Sequence, residues 1–180
     1  MKTLSNFLNR IANWKSLLLF FGLYMVFAGI VLKNAENKIT ALAGKPVGVI
    51  DLTFGFNPQK TMMMVAEYGD EARSYYALTE MTTDMLYPVV YAFLFGIILA
   101  ILYRGSSRSW VSTLPFVCLL FDYLENITIV ILLTTFPQQS LFIATLCELL
   151  KLLKWLAFAA VILLILLGLI SKATKRIKHA

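Results

Sequence analysis

Apolar residues run almost unbroken through four stretches, Ser16–Leu32, Leu86–Tyr103, Leu114–Leu133 and Leu152–Ile170, and polar residues collect between them. Each stretch is near the ~20 residues that a helix needs to cross ~30 Å of hydrocarbon at ~1.5 Å per residue. None is long enough to cross twice. The pattern predicts an all-α, integral membrane four-helix transmembrane bundle forming a single domain.

The segments outside the spans carry their own patterns. Leu4, Phe7, Leu8 and Ile11 fall at i, i+3, i+4 and i+7, with Trp14 at the boundary, which predicts an interfacial helix within residues 1–15. The connection over residues 33–84 is too long to be a bare link and is expected to fold. In it, Ile50, Leu52, Phe54 and Phe56 alternate with Asp51, Thr53 and Gly55, the period of a short strand or extended piece. Asn57 and Pro58 read as the N-cap and first residue of a helix through Met62, Met63, Met64 and Val65, ending near Gly69. A second helix from about Asp70 carries Tyr75, Tyr76 and Leu78. The methionines read as packing on the membrane or the bundle mouth ahead of an adaptable ligand surface. Pro88 and Pro115 are expected in the first turns of their helices, where a missing N–H is tolerated. Gly22 and Gly29, seven apart on the first span, suggest a face for close helix packing.

Composition sharpens the membrane assignment, because 59% of the 180 residues are hydrophobic and 14% charged, against about 25% charged in soluble domains. The net charge of +6 would suggest a nucleic-acid binder if it formed one patch. Instead Lys2, Arg10 and Lys15 precede the first span, Arg104 and Arg108 separate the second and third, and Lys172, Lys175, Arg176 and Lys178 follow the fourth, with no acid among them. The 33–84 connection holds Lys33, Lys38, Lys45, Lys60 and Arg73 against Glu36, Asp51, Glu67, Asp70, Glu71, Glu80 and Asp84, a net of −2. Positive charge is retained on the cytoplasmic side. The expectation is a multi-pass cell-membrane protein with both termini cytoplasmic, a basic tail at 171–180 and the long connection outside. The basic residues then serve topology and attraction to anionic membrane lipid, with no nucleic-acid partner. Val26 and Ala28 imitate a signal-peptide cleavage site, but the apolar run continues to Leu32 and reads as a retained span.

Cys118 and Cys147 fall at different depths, so no disulfide is expected. The long connection lacks the cysteine pair of claudin-like and tetraspanin-like four-span proteins, which sets those families aside. The sequon Asn126-Ile-Thr128 lies inside a span and is expected to be silent.

The third span carries the chemistry. Asp122, Glu125 and Asn126 share one helix face by their i, i+3 and i+4 spacing. A charge at mid-membrane costs at least ~2.5–3.5 kcal/mol, so such groups turn inward, pair or line water. Depth counting sets Lys154 of the fourth span near Glu125, with Lys151 and Glu148 further out. Asp84, Tyr87 and Tyr91 form a stripe on the second span leading toward Asp122. Plainer roles compete: a helix cap for Asp84, an interfacial belt for the tyrosines, an exposed ion pair for Glu148 with Lys151, and interhelical glue for the core. Buried polar pairs in membrane bundles contribute only about 0.6 kcal/mol on average, which favours a site.

Three acids, Asp122, Glu125 and Glu148, face Lys151 and Lys154, so the set predicts a bound proton or a cationic occupant. The only histidine is His179, which argues against haem or histidine-zinc chemistry, and no nucleophile, phosphate-loop or HExxH motif occurs. Neither cofactor nor metal is expected. The leading reading is a pocket open to the outer side that binds or transports a cation or small amphiphile. An intramembrane enzyme with Asp122 or Glu125 as acid or base on a lipid or isoprenoid-like substrate is one alternative. An accessory subunit with a structural polar cluster is the other. Expected partners are membrane lipid, the amphiphile or cation, and a second copy or another membrane protein.

Overall fold

The computed structural model describes residues 2–178, with side chains through residue 174; His179 and the side chains of Lys175, Arg176 and Lys178 lie outside the described residues. Helix α1 is Lys2–Ile11. The Asn13 side chain then accepts from the amides of Lys15 and Ser16 at 2.9 and 3.1 Å, which caps α2, Trp14–Ala43. Helix α2 contains one π-helical turn at Phe27–Val31 and stops at Gly44, whose φ of 68° suits a residue without a side chain. Helices α3 (Pro58–Glu67) and α4 (Gly69–Met81) follow. Helix α5, Thr83–Leu102, continues α4 after a break at Thr82, and α6 (Pro115–Thr134) and α7 (Leu141–Lys178) complete the chain.

Four helical segments are long and apolar enough to cross a membrane: Trp14–Ala43, Gly69–Leu102, Ser109–Thr134 and Leu141–Thr174. The chain is an all-α, multi-pass membrane protein with charged residues buried in its helical bundle. Helix α6 packs most extensively on α7, α5 on α6, and α2 on α5, while no comparable packing joins α2 to α7. The ring of spans is therefore open on one side.

Two glycines set the tight contacts. A Cβ on Gly96 would lie 3.1 Å from the Ser112 carbonyl, and one on Gly168 would lie 3.1 Å from Leu102 and Tyr103. Gly22 and Gly29, expected to mark a packing face, have nothing within 4 Å of an added Cβ. Their spacing reflects an open face of α2.

Helix α1 lays Leu8 against Ile97 and Ala100 of α5, and the Ser5 hydroxyl donates to the Ser109 carbonyl at 3.0 Å. Arg104 donates to the Ala12 carbonyl and Lys172 to that of Ile101. These contacts gather α1, the α5–α6 connection and the end of α7 at one end of the bundle, the terminal end. The other, loop end is a helical cap in which Ile50, Val65, Tyr68 and Tyr76 share a core with Ile39, Ile129, Leu132 and Cys147. Met64 belongs to that core while Met63 is exposed. Burial, reinforced by nearby Asp51, Glu80 and Glu67, pushes the Tyr68 phenol up, and its hydroxyl donates to the Gly48 carbonyl at 2.9 Å. Both cysteines are free and buried.

Two local expectations are corrected. Residues 50–56 do not form a strand: Ile50–Leu52 is a 3-10 turn, and no neighbouring strand pairs with it among the described residues. The Ile50 amide instead donates to the Tyr76 hydroxyl at 2.8 Å, and only Ile50 of the four alternating apolar residues is buried. Pro88 sits inside α5 rather than in its first turn. A proline there cannot donate to the carbonyl four residues back, which is that of Asp84. The Asn126 side-chain amide supplies that bond at 3.3 Å.

A carboxylate-lined cavity at the loop end

The i, i+3 spacing on α6 turns Asp122 and Glu125 toward α7, where Lys154 bridges them. Its ammonium lies 2.6 Å from Glu125 and 3.6 Å from Asp122. The second Asp122 oxygen accepts from the Tyr91 hydroxyl at 2.9 Å. Glu125 is fully buried behind this pair, and Asn126 beside it bridges to α5. Asp122, Glu125, Asn126, Lys154, Asp84 and Tyr91 thus form one constellation across α5, α6 and α7.

Glu148 and Lys151 belong elsewhere. They pair with each other and are buried, not exposed as a solvated helix end would be. Glu148 accepts from the Asn57 amide at 2.8 Å and the Thr61 hydroxyl at 2.7 Å, and Lys151 donates to the Thr53 hydroxyl. The pair fastens the 53–61 segment onto α7 and lines no part of the cavity described next.

A cavity of about 430 Å³ lies against the constellation. Asp84, Tyr87, Tyr91, Asp122 and Lys154 line it, together with residues that the pattern of the chain did not single out as a site: Lys33 and Glu36 on α2, Asp51 in the 3-10 turn, and Glu80 on α4. The Lys33 ammonium and Glu36 carboxylate pair at 2.8 Å. Asp51 accepts from the Tyr76 hydroxyl at 3.0 Å. Glu80 is 2% exposed, and its Oε2 has no hydrogen-bond partner among the described residues. Tyr24, Tyr76, Trp155 and Phe158 complete the aromatic part of the wall. The Tyr24 and Tyr87 rings stack at 5.7 Å, and Tyr91 meets Phe158 edge-on at 6.1 Å.

Part of what was missed had a signal. Tyr76, Glu80, Asp84, Tyr87 and Tyr91 are four, four, three and four residues apart, one helical face that continues through the break at Thr82. Phe158 lies one turn beyond Lys154 on the same face. Asp51 had none, since a turn residue reaches the cavity only through the tertiary fold.

Carboxylates outnumber ammonium groups among the described residues that line the cavity, and its deep ammonium, Lys154, is committed to Asp122 and Glu125. Aromatic faces attract cations as well. Among the described residues no group of three histidine, cysteine or acidic side chains is arranged to hold one metal ion. No protein-family model, curated protein or solved structure matches the chain.

Proposed function

We propose that this protein is a membrane binding protein whose cavity holds a ligand bearing positive charge, with the loop end on the outer side and both termini cytoplasmic. One observation carries the reading. Asp51, Glu80, Asp84 and Asp122 converge on an aromatic-walled space in which Lys154 is the only deep counter-charge among the described residues. Buried carboxylates without partners are costly, and a cationic occupant relieves that cost. The volume lies within the ~300–1,000 Å³ typical of ligand pockets. The basic residues at the terminal end support the orientation.

The test is the thermal stability of the purified protein in phosphatidylcholine nanodiscs, titrated with sodium, methylamine, dodecylamine, dodecanol and dodecanoate. At least one of the three cations is expected to stabilise the protein saturably, and Glu80→Gln and Asp84→Asn to weaken that response. Equal stabilisation by dodecanol or dodecanoate would overturn the cation reading. Conversion of an added lipid pool to product by the same preparation would replace binding with intramembrane catalysis.

A further inference from the structure

The cavity has two unlike walls and an incomplete frame. Tyr24, Ala28 and Leu32 of α2 line one side, and Trp155 and Phe158 of α7 the other. These two helices lack the extended packing that joins every other neighbouring pair of spans, and the most apolar window of α2 has no buried residue. All five residues belong to the apolar stretches that cross the membrane, so the gap faces lipid. Ala28, in the π-helical turn Phe27–Val31 of α2, lines the cavity on this side; such turns recur at functional sites.

Polarity is graded along the cavity. Its lipid-level part is bounded by Tyr24, Ala28, Trp155 and Phe158, with the paired Asp122 and Lys154 in the wall beside Tyr91, whereas the acids without a lysine partner among the described residues, Glu80, Asp84 and Asp51, gather toward the loop end. From Tyr24 to Glu36 the α2 wall runs about 18 Å at ~1.5 Å per residue, room for a head group with an extended tail below it. The unpartnered Oε2 of buried Glu80 lies on the polar part. A small hydrated cation would leave the aromatic part empty, and a neutral lipid would bring no positive charge to offset Glu80, Asp84 and Asp51.

We infer that the cavity takes an amphiphile with one ammonium head group and an apolar tail, which enters sideways from the outer leaflet between α2 and α7. The head group donates to Glu80 and Asp84, and the tail lies between Tyr24 and Phe158. This rests on the cavity being a cation site, but it adds the tail and the route.

The experiment uses the full chain in phosphatidylcholine nanodiscs with Trp14→Phe and Trp110→Phe, so that Trp155 reports alone. 12-Bromododecylamine is the probe, because its bromine quenches an adjacent indole. Saturable quenching is expected that dodecylamine displaces and propylamine and dodecanol do not. Glu80→Gln should weaken it about tenfold or more, the loss of one charge-assisted hydrogen bond. Ala28→Phe, which narrows the gap, should slow association several-fold. Displacement by propylamine as strong as by dodecylamine would overturn the tail and the lipid route while leaving the cation site standing. Equal displacement by dodecanol would overturn both readings. An unchanged association rate in Ala28→Phe would overturn the entrance between α2 and α7. Quenching that nothing displaces would overturn the inference, with the cation site still decided by the stability titration.

Discussion

Removing the Lys154 ammonium leaves two carboxylates, Asp122 and Glu125, facing each other in a buried site. Breaking a buried pair from one side costs about 3–5 kcal/mol, since the remaining charge has no water to turn to. Lys154→Met should therefore lower thermal stability strongly, and adding Glu125→Gln should recover part of the loss; a second loss of equal size would show that the three groups do not form one unit. Asn126 invites a sharper experiment. Its amide serves the Asp84 carbonyl that Pro88 leaves without a donor, so Asn126→Ala should cost about 1–3 kcal/mol. In a Pro88→Ala background the backbone can supply the bond, and the cost should shrink; additive effects would mean that the contact carries no energy. Asp122, Glu125 and Lys154 were legible in the sequence because charge inside an apolar run is expensive wherever it occurs. Glu80 and Asp51 were not, because acids in a connecting segment are ordinary until the fold encloses them.

At the scale of elements, punctuation was more legible than pairing. Asn57 with Pro58 opens α3 and Pro115 opens α6, since caps and prolines act through the local backbone. The alternation of residues 50–56 misled because a strand needs a partner, and the neighbouring α4 offers a tyrosine hydroxyl instead. The Gly22 and Gly29 pair misled similarly, since spacing shows where a close contact could form but not which helix arrives. Glu148 and Lys151 show the converse. Their depth and spacing put them with the candidate site, with an exposed ion pair as the plainer alternative, yet they tie α7 to α3 and the segment before it. Glu148→Ala should therefore loosen the loop end selectively. Backbone hydrogen exchange over residues 50–67 should rise while exchange in α1 and the terminal end stays as it was. Uniform acceleration would assign the pair to global stability instead.

Across the whole molecule, hydropathy alone reveals four helices able to cross, because a single apolar segment of about 20 residues satisfies its own backbone groups in hydrocarbon only as a helix. It does not reveal that the ring of helices stays open between α2 and α7, which depends on which faces meet and is encoded in no single stretch. The proposed orientation rests on charge at the two ends. Arg104, Arg108 and Lys172 lie near α1 at the terminal end, and the loop end carries the acids of residues 33–84. Retention of Lys and Arg on the cytoplasmic side then predicts Gln59 outside and Ser107 inside, and both are exposed. Cys118 and Cys147 are 1% and 0% exposed, so they should stay silent toward a membrane-impermeant maleimide and single cysteines can be read against them. Gln59→Cys should label in sealed right-side-out vesicles, and Ser107→Cys only after permeabilisation. The reverse pattern would invert the molecule and move the cavity to the cytoplasmic leaflet. Labelling of both positions from one side would mean that the segment between them does not cross the membrane an odd number of times, contrary to a single crossing by α5.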